Sequence, residues 1–323
     1  MKYSRLLQWG KLLFALAILF FLIKRLYSML SLMEGEMVTF QPLWLIASLG
    51  LLFSYRTLLV YPWRTLYCSV SQTQISFQDG WTLFQLSQLG KYLPGKVGQF
   101  ASIIALCRPL KLSKTAAVVS TLQSVVLQCA LGVGIGVPVL LSPSATPLLH
   151  NGWAIFHQNS RFFIGLVIMI IGGGCVAVIL LHKGFLFRKM EGFQEVARSL
   201  FSLAVTPRLL GMYLLLWCYF GIAFFLFLKS MGGPTQLSHL LMIIGIYPLA
   251  WSLGILSLVT PGGLGVRESI LSVLLALCLP PANATLMALL SRVWVMSVES
   301  LLASIAWCSY CKQKLERQQK TCL

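Results

Sequence analysis

Pro94-Gly95-Lys96-Val97-Gly98, followed by Ser102-Ile103, returns later in the chain as Pro261-Gly262-Gly263-Leu264-Gly265, followed by Ser269-Ile270. Both copies read P-G-x-[VL]-G-x-x-x-S-I, and both interrupt otherwise apolar sequence. Proline has no N–H and glycine permits positive φ, so each copy predicts a break between two short helices. At membrane depth a break leaves backbone polar groups that hydrocarbon cannot satisfy. It is tolerated only where protein or a water-filled cavity covers it. Two such breaks at matching positions point to a transporter-like site between internal repeats.

The rest of the chain fits that reading. Of 323 residues, 58% are hydrophobic and 10% charged, and mean hydropathy is +0.83. These values exclude an ordinary soluble domain and predict an all-α polytopic membrane protein. The apolar runs are continuous rather than alternating, which argues against a membrane β-barrel. Net charge is +17, from 25 basic and 8 acidic residues. The positive-inside rule and anionic lipid headgroups account for most of it, and no exposed basic module for nucleic acid is visible. Nine cysteines lie scattered in apolar sequence. The tight pair Cys308 and Cys311 has no second pair or nearby histidine to suggest zinc. No small-residue cleavage site follows the first apolar run, so that run reads as a retained helix.

Spans of about 20 residues are expected near residues 11–33, 43–61, 115–141, 162–181, 207–229 and 284–310. Lys24 and Arg25 fall inside the first, and Trp44 and Trp63 read as interfacial anchors of the second. Residues 81–108 and 239–279 each suit a short helical hairpin with the Pro-Gly break at its tip. Lys2, Arg5, Lys11, Arg64, Arg108, Lys183, Arg208 and Lys312 orient the chain with both termini cytoplasmic. On that topology the hairpins insert from opposite faces, with three spans between them, as an inverted repeat requires. The expected architecture is about six full spans plus two oppositely inserted re-entrant hairpins. A single transmembrane domain covers residues 1–310, and residues 311–323 form a short basic cytoplasmic tail.

The segments YLPGKVGQFASIIAL and TPGGLGVRESILSVLL resemble the two signature segments of the lysylphosphatidylglycerol synthetase transmembrane-domain family. The resemblance covers about residues 12–310, and Pro261 to Glu268 is the more specific match. It implies two opposed re-entrant hairpins around a lipid-accessible cavity, and movement of a lipid between leaflets of the cytoplasmic membrane. Nothing in this chain resembles the aminoacyl-transfer domain of two-domain members, so lysyl-lipid synthesis is not expected. Anionic, aminoacylated, polyprenyl-linked and glycolipid substrates stay open.

Intramembrane ionisable groups are costly and usually paired. Arg267 and Glu268 follow the second break, where the first copy has Phe100 and Ala101, so the repeat itself does not demand charge there. Arg292 and Glu299 are seven apart, on one helix face. Adjacent residues on a helix diverge, so the expectation is crossed pairing, Glu268 with Arg292 and Arg267 with Glu299. Lys96 and Gln99 at the first break complete the candidate cavity set. Gln88, Lys91, Tyr92, Arg108, Gln123 and Gln128 form the polar surroundings, and Arg56 is a secondary candidate. Backbone N–H groups after Gly95 and Gly262 present positive helix ends suited to an anionic, phosphate-bearing headgroup.

Snorkelling to headgroups explains Arg108, and structural stapling competes with function for the Arg/Glu pairs. Gly132, Gly134 and Gly136 read as helix-packing residues rather than a nucleotide loop. No metal, cofactor or catalytic residue is expected, since the histidines show no ligand spacing and no nucleophile or P-loop motif occurs. Without an ATP motif, transport is passive or ion-coupled, with Glu268 and Glu299 as the deep carboxylates. The alternatives are a lipid-linked transferase, disfavoured by the scarcity of acidic residues, and a non-catalytic partner of a lipid-synthesis enzyme. A homodimer is compatible with the sequence.

Overall fold

All regular structure in the computed structural model is helical among the residues it describes, 40–92, 98–146, 206–233, 236, 238–256 and 265–319. The first half comprises α1 (Pro42–Leu58), α2 (Val60–Ser71), α3 (Phe77–Gln88), a 3-10 turn (Leu89–Tyr92), α4 (Gly98–Cys107) and α5 (Lys114–Leu140). The second comprises α6 (Pro207–Ser230), α7 (Ser238–Leu256), α8 (Val266–Leu275) and α9 (Pro281–Gln319). The element order repeats: a long rod, two short helices flanking a Pro-Gly segment, and another long rod. One compact unit holds the described residues up to Gly136 and from Thr206 onward. Residues 137–146, the last turn of α5 and a 3-10 turn at Pro143–Ala145, belong to a second unit.

Four described helices are long and apolar enough to cross a membrane: Pro42–Ser71, Lys114–Leu140, Pro207–Ser230 and Pro281–Gln313. The other two expected spans, residues 11–33 and 162–181, lie outside the described residues, as do Lys24 and Arg25. So do Pro94, Gly95, Lys96, Pro261, Gly262 and Gly263. Exposed Leu43 and Leu215 stud the long helices and exposed Leu241 the first arm of the second pair, as a lipid-facing surface requires.

Two boundaries differ from expectation. The second expected span does not end near residue 61. α1 and α2 form one rod interrupted at Leu59, because Pro62 has no N–H for the Leu58 carbonyl. Trp63 is therefore buried rather than an interfacial anchor, and its Nε1 donates to Thr121 Oγ1 at 3.0 Å. The last helix runs to Gln319, since no proline or glycine stops it, so much of the basic tail is a helical extension.

Hydrogen bonds and ring contacts fix which ends of the rods lie together. α1 and α6 are antiparallel: Gln41 N–H donates to the Ser230 carbonyl at 2.8 Å, and Ser48 Oγ to the Ala223 carbonyl at 2.9 Å. The first short pair begins beside α2, with the Phe77 ring 5.0 Å from Tyr61. It also finishes there, where Ser113 N–H donates to Tyr67 Oη at 3.0 Å. The second pair begins after the C-terminal end of α6. It finishes at that same end, with Cys278 Sγ 3.3 Å from Met242 Sδ. The described outer ends of the first pair thus lie at one end of the rods, and those of the second pair at the other.

The shared motif has a local structural meaning. Ser102 Oγ donates to the Gly98 carbonyl at 2.9 Å, and Ser269 Oγ to the Gly265 carbonyl at 2.7 Å. The G-x-x-x-S spacing therefore sets a serine hydroxyl on a first-turn carbonyl of the short helix after each motif. Gly265 has φ +85°, a conformation open to glycine and strained for other residues. In the first pair, a Cβ on Gly90 would stand 2.5 Å from the Gly98 carbonyl oxygen, so the two arms lie backbone against backbone.

Small residues also seat α5 on α7. A Cβ on Gly132 would meet Ser252 Oγ at 2.5 Å, and one on Gly136 would meet Leu249 Cβ at 2.5 Å, whereas Gly134 faces open space. This is small-xxx-small packing, in which absent side chains let helices approach. Gly136→Ala should lower stability by roughly 1–3 kcal/mol through overpacking. Gly134→Ala should leave it unchanged or slightly raised. Thermal denaturation of the detergent-purified variants measures both, and equal effects would rule out this packing face.

Candidate functional site

The tips of the two short-helix pairs reach one buried charged cluster. Lys91 comes from the 3-10 turn at the first tip, and Arg267 and Glu268 from the first turn of α8. Arg56 comes from the last turn of α1, and Arg292 and Glu299 from one face of α9. Arg267, Glu268, Arg292 and Glu299 are each less than 10% exposed. Their order in the fold follows from the rods: α9 runs past both tips and supplies a partner to each.

Glu299 accepts from Lys91 Nζ at 2.5 Å and also pairs with Arg56 Nη2. Glu268 lies 3.7 Å from Arg292 Nη1, the pairing expected from the sequence. The other expected pair does not form. Arg267 Nε lies 3.4 Å from its own neighbour Glu268, and Glu299 is taken by the first half of the chain. Adjacent residues diverge on a helix interior, but these two sit in its first turn. There Glu268 folds back to accept the Gly265 N–H at 2.8 Å, which leaves Oε1 toward Arg267. Glu268 thus seals the helix start that the Pro-Gly break leaves open.

Room for Arg267 comes from Gly254, where a Cβ would stand 2.7 Å from Arg267 Cβ. The guanidinium lies 5.2 Å from the Tyr247 ring centroid, within cation–π range. Its Nη2 is buried without a hydrogen-bond partner among the described residues. A cavity of about 40 Å³ opens here, lined by Arg56, Lys91, Arg267, Arg292, Gln128 and aromatic rings. The aromatic wall is continuous, with Trp217 against Trp251 at 5.4 Å and Phe220 against Tyr247 at 4.3 Å. Four basic side chains and two carboxylates meet in the described cluster.

Other candidates lie elsewhere. Gln99 is half-buried in the first turn of α4, beneath Gly90 and outside the cavity lining. Gln128 does line the cavity, and its Nε2 donates to Ser124 Oγ at 2.9 Å. Arg108 is exposed, as a snorkelling residue would be. Cys308 and Cys311 are exposed free thiols. Sequence reasoning ranked Arg56 too low. The available signal was a lone arginine inside an apolar span, which by default seeks a buried partner.

The family model described as lysylphosphatidylglycerol synthase TM region matches residues 8–302. No curated protein and no solved structure matches the chain.

Removing one partner of a buried ion pair typically costs about 3–5 kcal/mol, because the other charge stays buried. Glu299→Ala should therefore destabilise by that order, and adding Arg56→Met should recover part of the loss. A double-mutant cycle on thermal stability measures the coupling. Strict additivity of the two changes would mean that Arg56 and Glu299 do not interact.

Proposed function

Because the chain belongs to the lysylphosphatidylglycerol synthase TM region family, multi-pass membrane proteins of lipid metabolism or transport, we propose that it moves a lipid headgroup between leaflets. The observation that carries this reading is a cavity where four cations from both halves of the chain, Arg56, Lys91, Arg267 and Arg292, converge. A membrane protein keeps intramembrane cations where they meet a counter-ion or line a pathway. A phosphate-bearing headgroup supplies that counter-ion, while its acyl chains remain in the bilayer beside the rods.

The two short pairs read as re-entrant hairpins, forming an inverted repeat that opens toward opposite faces. Their ends support this, since each pair begins and finishes at one end of the rods. Arg64 and Arg208 share the end where the first pair begins. By the positive-inside rule that end faces the cytoplasm. α9 finishes there too, with Ser309 Oγ 3.3 Å from Gln78 Nε2. The chain is then a cytoplasmic-membrane protein with a cytoplasmic C-terminus.

Movement follows from exchange of counter-ions. In the structure Glu299 holds Lys91, and through it the first tip, against α9. An arriving phosphate competes with Glu299 for Lys91 and Arg56, and with Glu268 for Arg267 and Arg292. Passing the headgroup from one pair of cations to the other shifts it from one hairpin tip to the next. Glu268 and Glu299 each already face two cations, an arrangement suited to counter-ion exchange rather than to a general base. This favours a carrier over a lipid-linked transferase.

Proteoliposomes containing the full chain should translocate at least one headgroup-labelled anionic lipid, read by its accessibility to a membrane-impermeant quencher. Lys91→Gln and Arg292→Gln, each confirmed as monodisperse and thermally folded, should slow it by roughly tenfold or more, about one charge-assisted hydrogen bond. Failure of well-folded wild type to move any lipid would contradict the carrier reading.

A further inference from the structure

A second concavity, of about 350 Å³, opens between α2 and α6 at the end of the rods where the first pair begins. Its lining includes Tyr61, Arg64 and Cys68 of α2 and Arg208 and Met212 of α6. It shares no lining residue with the central cavity. Arg56 and Arg64, which line one each, are eight positions apart on the α1–α2 rod, roughly 12 Å at 1.5 Å per residue.

The two arginines, one on each wall, supply the chemistry of this pocket. Arg64 Nε donates to the Ile75 carbonyl at 2.7 Å, which fixes the plane of its guanidinium and leaves the terminal nitrogens for a ligand. Arg208 stands exposed in the first turn of α6. Neither forms an ion pair among the described residues, and no residue lining the pocket is acidic. The start of α6 is already capped, since Thr206 Oγ1 accepts the Leu209 N–H at 3.2 Å, so binding falls to the guanidiniums rather than to the helix end. A guanidinium presents a planar fork of donors that matches two phosphate oxygens.

The surfaces leading inward from the pocket are apolar. On α6, Arg208, Met212 and Leu215 fall at i, i+4 and i+7 on one helix face, and Leu215 is 72% exposed. On the other rod, Leu58 and Tyr61 are 40% and 45% exposed, and Leu58 lies deeper along the rod than the pocket. Each rod thus offers an arginine at the pocket and an exposed leucine toward its middle. A phospholipid has the same order of parts, a phosphate followed by acyl chains, whereas a soluble anion has no use for the leucines.

We propose that this pocket binds the phosphate of an anionic phospholipid from the leaflet at that end, with the acyl chains laid along Leu58 and Leu215. The site stands apart from the carrier reading, and only the identity of the leaflet, cytoplasmic, rests on the orientation given above. A phosphate held by Arg64 and Arg208 together ties α2 to α6, so the lipid clamps that end of the rods. A zwitterionic headgroup offers the same phosphate but brings its ammonium against the two guanidiniums, and it binds more weakly.

Cys68 lines the pocket as a free thiol and reports its occupancy. The test uses the full chain with Cys68 as its only cysteine, in nanodiscs, and an uncharged maleimide. Labelling should be at least about fivefold slower in phosphatidylcholine containing phosphatidylglycerol than in phosphatidylcholine alone, the protection that ligand at about four times its Kd provides. Arg208→Gln should abolish this protection while labelling in phosphatidylcholine alone stays unchanged, which shows the pocket intact. Arg208→Lys should keep only part of it, since an ammonium lacks the planar fork. A chain with only Cys311, exposed on α9, should label equally in both membranes. Equal slowing at Cys311, or protection of Cys68 that survives Arg208→Gln, would reduce the effect to general surface charge and overturn the site. Equal labelling of Cys68 in both membranes, or none in either, would also overturn it. Protection in phosphatidylcholine by glycerol 3-phosphate at the same concentration would overturn the lipid assignment in favour of a soluble phosphate. Lipid translocation without protection of Cys68 would remove this inference and leave the carrier reading standing. Protection without translocation would do the reverse.

Discussion

The Glu299 carboxylate is the contact on which the architecture turns. It sits buried in α9 and is held by Arg56 from α1 and Lys91 from the tip of the first short pair. A bare carboxylate at that depth would be prohibitively costly, so the residue fixes three elements at once. It ties the last rod of the second half to the first rod and first tip of the first half. The second tip is held to the same rod two turns earlier, through Glu268 and Arg292. A single helix therefore pairs with charges from both halves of the chain, and Arg56, Lys91, Arg267 and Arg292 line the cavity beside it.

The helices that follow the two motifs start alike. Ser102 and Ser269 each add a side-chain bond to a first-turn glycine carbonyl, and in the second copy Glu268 accepts the Gly265 N–H that the helix start leaves open. The two copies differ in one respect. Phe100 and Ala101 stand in the first copy where Arg267 and Glu268 stand in the second. The charge at the first tip comes instead from Lys91, ahead of the break. The same motif is thus flanked by different charges in its two copies.

Much of this was legible in the sequence, and the exceptions are instructive. Hydropathy located the described spans because lipid demands long apolar runs whatever the fold. The repeated motif marked where the first helix of each pair gives way to the second, although the Pro-Gly residues themselves lie outside the described residues. Glu268 with Arg292 was legible because few buried charges were available to pair. The partner of Glu299 was not. Heptad spacing says that Arg292 and Glu299 share a face of α9, but not which helix lies opposite, and Arg56 is 243 positions away. Trp63 was misread because an interfacial and a buried tryptophan look alike until Thr121 is seen to accept its N–H. Gln99 drew attention by closeness to the break, yet the arm packing at Gly90 turns that position aside.

The central claim is that two broken-helix pairs come in from opposite faces of the membrane and meet at one charged cavity. Membrane-impermeant labelling of single cysteines, placed in a cysteine-free background in sealed vesicles, tests it most directly. Gln74 and Lys111 flank the first pair and are exposed, as are Gln236 and Ala282 around the second. Cysteines at Gln74 and Lys111 should label from one face only, and those at Gln236 and Ala282 from the other only. Labelling of the two residues flanking either pair from opposite faces would mean that the pair crosses the membrane, and the account would fail.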